Sequence, residues 1–525
     1  MRIHFNHLSE VPVKKIFGPP SQQIHHLTFD SRQANDNSVF FSMRGENHDG
    51  HQYIEDALKK GTVAVFGSDY VQLQQLSVKY PACTFLTVDN VREAMAKFSK
   101  HYYHHADEQL KTIGITGTNG KTTVAAYVRS LLTLLGMSTG SIGTTGIWSS
   151  RKKLSYKKST PTTPESLDLQ RIFRDLADLG EEAVAMEVSS IALDQHRVDD
   201  ILFDVAIHTN LSEEHLEYHG TFEHYKECKL RLFRQAKYAV INIDDNGMGK
   251  ELAGTFSGLH FTYSMSEDKQ ADLYASNIEI LHTGTAFELR YAGSDYRVEV
   301  PVFGEYNIAN VLSAIGAALL FGYHIEDIIK VLSSLESPEG RFQIINGPGS
   351  RKIILDYAHT PVALTRLLEE VRKLPHSRLI VMIAGIGIRD FAKMPKMAAV
   401  AENKADEIIV TVDHPGEHDP QIIVNQVMKG FRKPHLSSIH QGLTRKDGVL
   451  KSLELSQSND IVLLTSGCIN GAQIVKGEAI PHSDEEIIET FFKSWKQGKA
   501  GRRVSHKKLI LKRTERLPVA CRKNG

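Results

Sequence analysis

Short apolar runs alternate with amphipathic stretches along most of the chain, and this pattern predicts an α/β protein built on parallel sheets. The strand-like runs, all rich in β-branched residues, are 39–41, 62–66, 112–115, 184–188, 205–210, 352–356, 379–383, 407–411 and 460–464. Continuous apolar strands that alternate with helices are typical of sheets covered on both faces. Because ligands bind at the carboxyl ends of such strands, the loops that follow them are the first candidates for chemistry.

The same pattern divides the chain into three α/β domains and a tail. We expect a small N-terminal domain at 1–108, a central parallel-sheet domain at 109–338 and a doubly wound, Rossmann-like C-terminal domain at 339–497. From Lys499 to the end there are ten Lys or Arg and one Glu. We therefore predict that 498–525 is a solvated basic extension without fixed structure.

Composition narrows the class of protein. Of the 525 residues, 41% are hydrophobic and 24% are charged, as in an ordinary globular protein, and no apolar run reaches membrane-spanning length. The formal net charge is zero, so the part of the chain that precedes the basic tail is acidic, which argues against a nucleic-acid groove. The four cysteines form no CxxC pair, and we expect a cytoplasmic protein.

The stretch TGTNGKTT at 116–123 is the strongest chemical signal, because it lies between a predicted strand and a predicted helix. Glycines there let backbone N–H groups approach phosphate oxygens, and the helix N-terminus favours an anion. Lys121 would reach the terminal phosphates, and the Thr122 hydroxyl would hold Mg²⁺. The general phosphate loop has a glycine where Ile115 stands, and so short a motif also occurs by chance. The candidate nucleotide-binding residues are Gly117, Thr118, Asn119, Gly120, Lys121, Thr122 and Thr123.

Hydroxyl and cationic groups follow the loop in sequence and suggest contacts to an anionic substrate. The run 159–165 contains Thr162 and Thr163, which are either part of a turn before a helix or hydroxyl donors to a substrate. Gln195 and Arg197 could bind a phosphate or a carboxylate.

One acidic and one basic side chain lie at positions for which a purely structural role is a poor explanation. Glu187 follows an apolar strand, just before Ser189, and a carboxylate there suits a Mg²⁺ ligand. Lys229 lies four residues before Phe233 on one face of a predicted helix, and a buried lysine is costly unless it is paired or modified. Between them, His215 lies in a charged loop that could also be simply solvated.

Taken together and in this order, these motifs resemble the Mur ligase family over about residues 24–490. The segments that carry the resemblance are DSR at 30–32, TGTNGKTT, TTPES at 162–166, EVSS at 187–190, QHRV at 195–198, TNLSEEHLEYHGTFEHYKECKLRLF at 209–233, GEYNIAN at 304–310, GR at 340–341 and DYAHTP at 356–361. The resemblance implies an N-terminal uridine-nucleotide domain, a central ATP-binding domain and a C-terminal amino-acid domain.

The resemblance also implies a reaction. ATP would phosphorylate the carboxylate of UDP-MurNAc-L-Ala-D-Glu, and the amine of a third amino acid would displace the phosphate. It implies a monomer that uses ATP and Mg²⁺, with Lys121, Lys229 and His215 as catalytic residues. Implied metal ligands are Thr122, Glu187, His215 and a carbamylated Lys229; implied further ATP contacts are Asn307, Asn310, Arg341 and Asp356; implied substrate contacts are Ser31, Thr162, Thr163, Ser189, Gln195 and Arg197.

The C-terminal domain departs from the family pattern for meso-diaminopimelate. Gly416 stands where those enzymes carry an arginine for the distal carboxylate, and the loop 466–471 lacks their glutamate. Arg389 and Asp413 are kept and are our candidates for amino-acid contacts. Because glycine cannot form the bidentate pair that arginine forms, we predict poor use of meso-diaminopimelate, with L-lysine or a smaller amino acid preferred.

Two other functions fit the altered loops. One is a related ligase on another acid, such as a folylpolyglutamate synthetase, although such enzymes lack the first domain. The other is a catalytically weak, nucleotide-binding paralogue with a regulatory or scaffold role, although Lys121, Glu187, His215 and Lys229 are all present. The sequence does not distinguish a main enzyme from a second copy.

Overall fold

The structure is a computed structural model that describes residues 1–45, 48–156, 159–281, 283–388, 390–466 and 471–495. The chain forms two compact units that divide after Pro338. Arg389, the loop residues 467–470 and the basic tail 498–525 lie outside the described residues. The predicted α/β class is confirmed, as are all nine strand-like runs.

The N-terminal part of the first unit is a five-stranded sheet in the order β2-β7-β6-β5-β4, in which only β2 is antiparallel. A separate pair joins β1 to β3. The elements are β1 Arg2–His4, β2 Val13–Phe17, β3 Ser21–Gln23, β4 His26–Thr28, β5 Ser38–Phe41, α1 Ile54–Lys59, β6 Thr62–Gly67, α2 Tyr70–Lys79, β7 Thr84–Val88 and α3 Val91–Tyr102. Short 3-10 turns lie at Phe5–His7, Ser31–Gln33, Gly50–Tyr53 and Ala106–Gln109.

The central part of the first unit is an eleven-stranded sheet in the order β11-β10-β9-β12-β8-β13-β14-β15-β16-β17-β18. Its elements are β8 Lys111–Thr116, α4 Lys121–Leu134, β9 Thr139–Gly143, β10 Gly146–Trp148, β11 Lys153–Leu154, α5 Ser166–Asp178, β12 Ala183–Glu187, α6 Ser190–Asp194, β13 Phe203–His208, α7 Leu216–His219, α8 Phe222–Arg234, β14 Ala236–Asn242, α9 Gly249–Thr255, β15 His260–Ser264, the 3-10 turn Glu267–Lys269, β16 Leu273–Ile280, β17 Thr285–Tyr291, β18 Ser294–Val300, α10 Glu305–Leu320 and α11 Ile325–Leu332.

The inner strands of this sheet, from β9 to β16, are parallel, and antiparallel strands extend both edges. Fully buried β-branched side chains lie on both faces of the inner strands, so α4 and α10 pack on one face and α5 and α8 on the other. This arrangement puts the loops after β8, β12 and β13 side by side at one edge of the sheet.

The second unit is a six-stranded sheet in the order β19-β20-β24-β21-β22-β23, parallel except at β19. Its elements are β19 Gln343–Gly347, β20 Arg351–Leu355, α12 Pro361–Lys373, β21 Leu379–Ile386, α13 Lys393–Ala401, β22 Glu407–Asp413, α14 Pro420–Met428, β23 Ile439–Gln441, α15 Arg445–Leu455, β24 Ile461–Leu464, the hairpin β25 Ala472–Val475 and β26 Glu478–Pro481, and a helix at 484–495. None of the described helices is long and apolar enough to cross a membrane.

Candidate nucleotide and substrate site

The loop between β8 and α4 has the backbone shape of a phosphate cradle. Gly117 and Gly120 have φ values of +149° and +90°, in the region that favours glycine. A Cβ added at Gly117 would lie 1.9 Å from Thr209 Oγ1, and one added at Gly120 would lie 2.8 Å from Asn310 Oδ1. α4 begins at Lys121, so its first N–H groups face the loop, and the buried hydroxyls of Thr122 and Thr123 lie in its first turn.

The loop that follows β13 holds the phosphate loop in this shape. Asn119 donates its backbone N–H to Asn210 Oδ1 at 3.0 Å, and Thr209 Oγ1 donates to Asn119 O at 2.6 Å. Thr118 Oγ1 lies 3.1 Å from the Tyr225 hydroxyl. Thr209 and Asn210 begin a segment that resembles the Mur ligase family, but the sequence assigned neither of them a role at the site. The signal was available, because β13 is a parallel neighbour of β8 and its end must lie beside the loop.

Two lysines converge on one carbonyl of the phosphate loop. Lys121 Nζ and Lys229 Nζ each donate to Gly117 O at 2.8 Å, and Lys121 also donates to Thr118 O at 2.9 Å. Lys229 is 1% exposed, and its Nζ lies 4.6 Å from the Tyr225 ring centre. Burial lowers the pKa of the Lys229 ammonium well below its ordinary value, and the charge of Lys121 lowers it further. Both effects shift the equilibrium of Lys229 towards the uncharged amine.

Glu187 ends β12 and lies at the same edge of the sheet, opposite Ile115 of β8 in register. Its side chain is buried and accepts the backbone N–H of Thr144 at 2.7 Å and the Thr144 hydroxyl at 3.2 Å. A Cβ at Gly143 would lie 2.2 Å from Glu187 Oε1, so only glycine leaves room for this carboxylate. Thr144 is a positioning residue that the sequence did not indicate.

The predicted hydroxyl run surrounds the end of the same strand. Thr163 Oγ1 donates to Glu187 O at 2.9 Å and accepts the N–H of Ser189 at 3.1 Å. Ser189 also caps α6 through the N–H of Ala192. Thr162 Oγ1 lies 3.4 Å from Thr144 Oγ1. Thr163 and Ser189 are therefore committed to local structure, while Thr162 lies near the Glu187 carboxylate through Thr144.

Arg197 and Gln195 form a second polar group beside this run. Arg197 donates to Gln195 Oε1 at 2.7 Å and to Thr163 O at 3.1 Å, and its Nε lies 3.2 Å from Glu165 Oε1. Arg92, from α3 of the N-terminal part, pairs with the same Glu165 at 2.7 Å. Two guanidinium groups around one buried carboxylate leave positive charge for an anionic ligand.

The remaining predicted site residues of the first unit lie in three other places. His215 immediately precedes α7 and has a φ of +57°. It is about half exposed, and its Nδ1 lies 3.5 Å from Glu217 Oε1. Asn307 and Asn310 are buried in α10 and bond to each other at 3.2 Å, with Asn310 next to Gly120. Ser31 lines a cleft of about 750 Å³ in the N-terminal part, together with Asp30, Arg32, Lys60 and Arg92.

In the second unit, Arg341 precedes β19 and Asp356 follows β20, and the two side chains lie near each other. Asp356 accepts the N–H groups of Phe342 and Ala358 at 2.9 and 2.8 Å, and the Arg341 guanidinium stacks 4.9 Å from the Tyr357 ring centre. Burial raises the pKa of the Asp356 carboxyl, although the Arg341 charge opposes this change.

The predicted amino-acid contacts of the second unit are only partly described. Asp413 is buried at the end of β22, accepts Gln473 Nε2 at 2.7 Å and lies 3.9 Å from Arg445 Nη1. Gly416 has a φ of +61°, and a Cβ there would lie 2.8 Å from Ile388 Cγ2. Asp413 is thus already engaged, and position 416 is shaped for glycine.

Comparison with known proteins matches all three parts of the chain. Residues 23–103 match the Mur ligase family catalytic domain, residues 115–318 the Mur ligase middle domain, and residues 340–468 the Mur ligase glutamate ligase domain.

Curated relatives match along nearly their whole length. UDP-N-acetylmuramoyl-L-alanyl-D-glutamate–2,6-diaminopimelate ligase 2 of Clostridium acetobutylicum is 35% identical over 92% of this chain and 98% of its own. The corresponding ligase of Geobacillus kaustophilus is 35% identical over 90% and 97%. A solved structure of such a ligase has a TM-score of 0.66 and 28% identity, over 94% of this chain and 99% of its own. The chain therefore belongs to the Mur ligase family.

Proposed function

We propose that the protein is an ATP-dependent ligase that adds the third amino acid to UDP-MurNAc-L-Ala-D-Glu, a step of peptidoglycan precursor synthesis in the cytoplasm. The observation that carries this proposal is the convergence of Lys121 and the buried Lys229 on the Gly117 carbonyl, at the sheet edge that also holds Glu187. Relatives that share 35% identity over nearly their whole length are named for this reaction.

The phosphate loop fits a nucleotide triphosphate. Glycine at 117 and 120 lets the loop lie against Thr209 and Asn310, where a Cβ would collide, and the α4 N-terminus supplies N–H donors. Lys121 would leave its two loop carbonyls and neutralise charge on the transferred phosphoryl group. Asn307 and Asn310 from α10, and Arg341 and Asp356 from the second unit, are our proposed further ATP contacts.

The carboxylate and hydroxyl groups at this edge fit a hard divalent cation. Glu187 and Thr122 offer the oxygen donors that Mg²⁺ prefers, and His215 is our candidate for a second ion. Mg²⁺ bound there would neutralise phosphate charge during transfer. Thr144 keeps the Glu187 carboxylate oriented towards the edge, and Glu187 is otherwise enclosed by the end of β9.

Lys229 suits carbamylation. Carbon dioxide reacts with an uncharged amine, and both burial and the Lys121 charge disfavour the ammonium form. The carbamate would be an anion beside a cation, so the repulsion between the two lysines would become an attraction. It would also provide an oxygen ligand for a cation at a place where an unmodified lysine provides none.

The substrate would enter with its nucleotide at the N-terminal cleft around Ser31 and its acidic peptide near Arg197 and Thr162. The cleft is lined by Arg32, Lys60 and Arg92, which suits a diphosphate. Arg92 connects the two places, because its guanidinium pairs with Glu165, the partner of Arg197. Arg197 and Gln195 would then orient the carboxylate that is activated.

We propose that this chain differs from its relatives in the third amino acid that it adds. The relatives are named for 2,6-diaminopimelate, whereas Gly416 here lacks the expected guanidinium and has no room for a longer side chain without movement of Ile388. We propose L-lysine or a smaller amino acid. Glu417 is exposed and would contact a distal ammonium more readily than Asp413, which already binds Gln473.

The proposal is tested by product formation. The purified protein is incubated with ATP, Mg²⁺, UDP-MurNAc-L-Ala-D-Glu and each of the common amino acids or meso-diaminopimelate, and products are identified by mass. We expect one amino acid to be joined, with one ADP released per product. Turnover of a folate substrate instead would support the folylpolyglutamate-like alternative, and nucleotide binding without any product would support a catalytically weak paralogue.

A further inference from the structure

Three side chains that can bind a metal ion meet where α7 packs against α8. None of them is among the predicted nucleotide-binding residues. His219, at the end of α7, and His224 and Cys228, on α8, place ligand atoms within 4.8 Å of one another. Cys228 Sγ lies 3.5 Å from His224 Nε2 and 3.9 Å from His219 Nδ1. Asp194, at the end of α6, adds a carboxylate whose Oδ1 lies 3.6 Å from Cys228 Sγ and 3.3 Å from His224 Nε2.

These separations are close to those of a tetrahedral site. Ligand atoms around Zn²⁺, at about 2.0–2.3 Å from the ion, lie roughly 3.3–3.7 Å from one another. Four of the separations among the donor atoms here are between 3.3 and 3.9 Å. The helix provides the spacing, because His224 and Cys228 are four residues apart and therefore lie on one face.

The hydrogen bonds around the cluster orient both imidazoles for metal binding. His224 Nδ1 donates to His219 O at 3.2 Å, which leaves Nε2 as the lone-pair atom that faces Cys228. His219 Nε2 bonds to Ser190 Oγ at 2.9 Å, which leaves Nδ1 facing the cluster. The backbone carbonyl fixes the tautomer of His224, and the Ser190 hydroxyl fixes the ring direction of His219, as partners of histidine ligands do in metal sites.

We propose that His219, His224, Cys228 and Asp194 form a binding site for a soft divalent cation such as Zn²⁺. One thiolate, one carboxylate and two neutral imidazoles balance the charge of a dication. Cys228 and His219 are buried, while the His224 side chain is 41% exposed, so the ion has a route from solvent. The bound ion would join α6, α7 and α8, and α8 carries Lys229. These four residues differ from the proposed Mg²⁺ ligands Thr122, Glu187, His215 and Lys229.

The test uses the untagged full-length protein after removal of metal with a chelator. Titration with Co²⁺ should give the thiolate-to-cobalt absorption and the intense visible bands of a tetrahedral site, with a break at one equivalent per chain, and Zn²⁺ should displace it. His224→Ala and Cys228→Ala should each weaken binding by more than about 100-fold, since loss of outer partners alone costs 10–100-fold. Cys83→Ala, at the other described free cysteine, should bind like the wild type.

A thermal measurement gives an independent readout. Zn²⁺ should raise the melting temperature of the wild type and of Cys83→Ala, and should leave that of His224→Ala unchanged, because a ligand that binds only the folded state stabilises it. His224 is the most exposed of the three residues, so its variant remains informative if Cys228→Ala does not fold. Absence of the one-equivalent cobalt spectrum, or the same spectrum in His224→Ala, would show that the cluster is only a hydrogen-bonded network.

Discussion

Lys229 Nζ and Lys121 Nζ each lie 2.8 Å from the carbonyl oxygen of Gly117. One lysine comes from the first turn of the helix after the phosphate loop, and the other comes from α8, 108 residues later in the chain. Two amines on one buried acceptor repel each other when both are charged. The pair is therefore the part of the structure on which the proposed chemistry depends most.

Removal of Lys229 should nearly abolish ligation. We expect Lys229→Ala and Lys229→Arg each to reduce kcat by about 10²-fold or more, because neither side chain becomes an anionic oxygen ligand. Lys226→Ala is the matched control on the same helix, where Lys226 pairs with Glu251 at the surface, and it should keep its activity. Steady-state ligation assays would decide. If Lys229→Arg were about as active as the wild type, the proposal that Lys229 is carbamylated would be contradicted.

Replacement of Lys121 with Ala should remove turnover while the protein stays folded. The Nζ group would meet developing phosphoryl charge, and its loss should cost several kcal/mol in the transition state, about 10²–10³-fold in kcat. Circular dichroism and the melting temperature should change little, because Lys121 is only partly buried and bonds to loop carbonyls outside the core. ATP-dependent ligation at a normal rate would mean that another loop binds the phosphates.

Gly117→Ala should abolish nucleotide binding. Its Cβ would lie 1.9 Å from Thr209 Oγ1, so the loop and the end of β13 must move apart. Gly136 is the matched control, because it has a φ of +97° but no atom within 4 Å of an added Cβ. Gly136→Ala should therefore report the conformational cost alone, about 1 kcal/mol of stability, with normal ATP affinity. Calorimetric titration with ATP measures the affinity of both variants. Equal affinities would contradict the proposal that the loop at Gly117 binds the phosphates.

Much of the fold could be predicted from the sequence, because continuous β-branched runs between helical stretches specify a parallel sheet wherever they occur. The antiparallel edge strands β16–β18 were not predicted, since their half-exposed pattern gains meaning only from pairing with the sheet. Glu187 and Lys229 were indicated by their misfit with a structural role. The sequence assigned no role at the site to Thr144 or Thr209. Hydroxyl side chains are common at strand ends, and their role becomes clear only when the contacting residue across the sheet is known.

The C-terminal unit contains an ion pair that no sequence pattern indicated, since Arg445 and Asp484 are 39 residues apart. Burial alone would raise the pKa of Asp484, but the Arg445 charge and the hydrogen bond from His482 outweigh it and hold the pKa well below its ordinary value. A depressed carboxyl pKa stabilises the fold above the unfolded pKa of about 4, and this contribution is lost as the pH falls through the folded value.

Asp484→Asn should therefore destabilise the second unit at neutral pH by about 3–5 kcal/mol, because it removes the close anion of the fully buried Arg445 and leaves Asp413 at 3.9 Å. The difference from the wild type should shrink as the pH falls below about 4, because Asp484 of the unfolded wild type then takes up a proton while the folded carboxylate is still ionised. Glu486→Gln, at an exposed position of the same helix, is the control. Urea unfolding at several pH values measures this, and a difference that is independent of pH would refute the linkage.

The altered pocket should discriminate against meso-diaminopimelate. A second ammonium–carboxylate pair needs matched partners in a closed site, and a missing partner costs a few kcal/mol, about a hundredfold in kcat/KM. We expect L-lysine to be used better. Competition between the two amino acids for the same UDP-MurNAc-L-Ala-D-Glu gives the ratio directly. A tenfold preference for meso-diaminopimelate would show that another residue binds its distal carboxylate.

The central claim is that the peptide carboxylate is activated as an acyl phosphate by ATP. It is tested most directly with UDP-MurNAc-L-Ala-D-Glu that carries ¹⁸O in the reacting carboxylate. Since that oxygen bridges carbon and phosphorus until the amine displaces the phosphate, each turnover should transfer one ¹⁸O into inorganic phosphate, as measured by mass spectrometry. Product formation that leaves the released phosphate free of ¹⁸O would contradict the account.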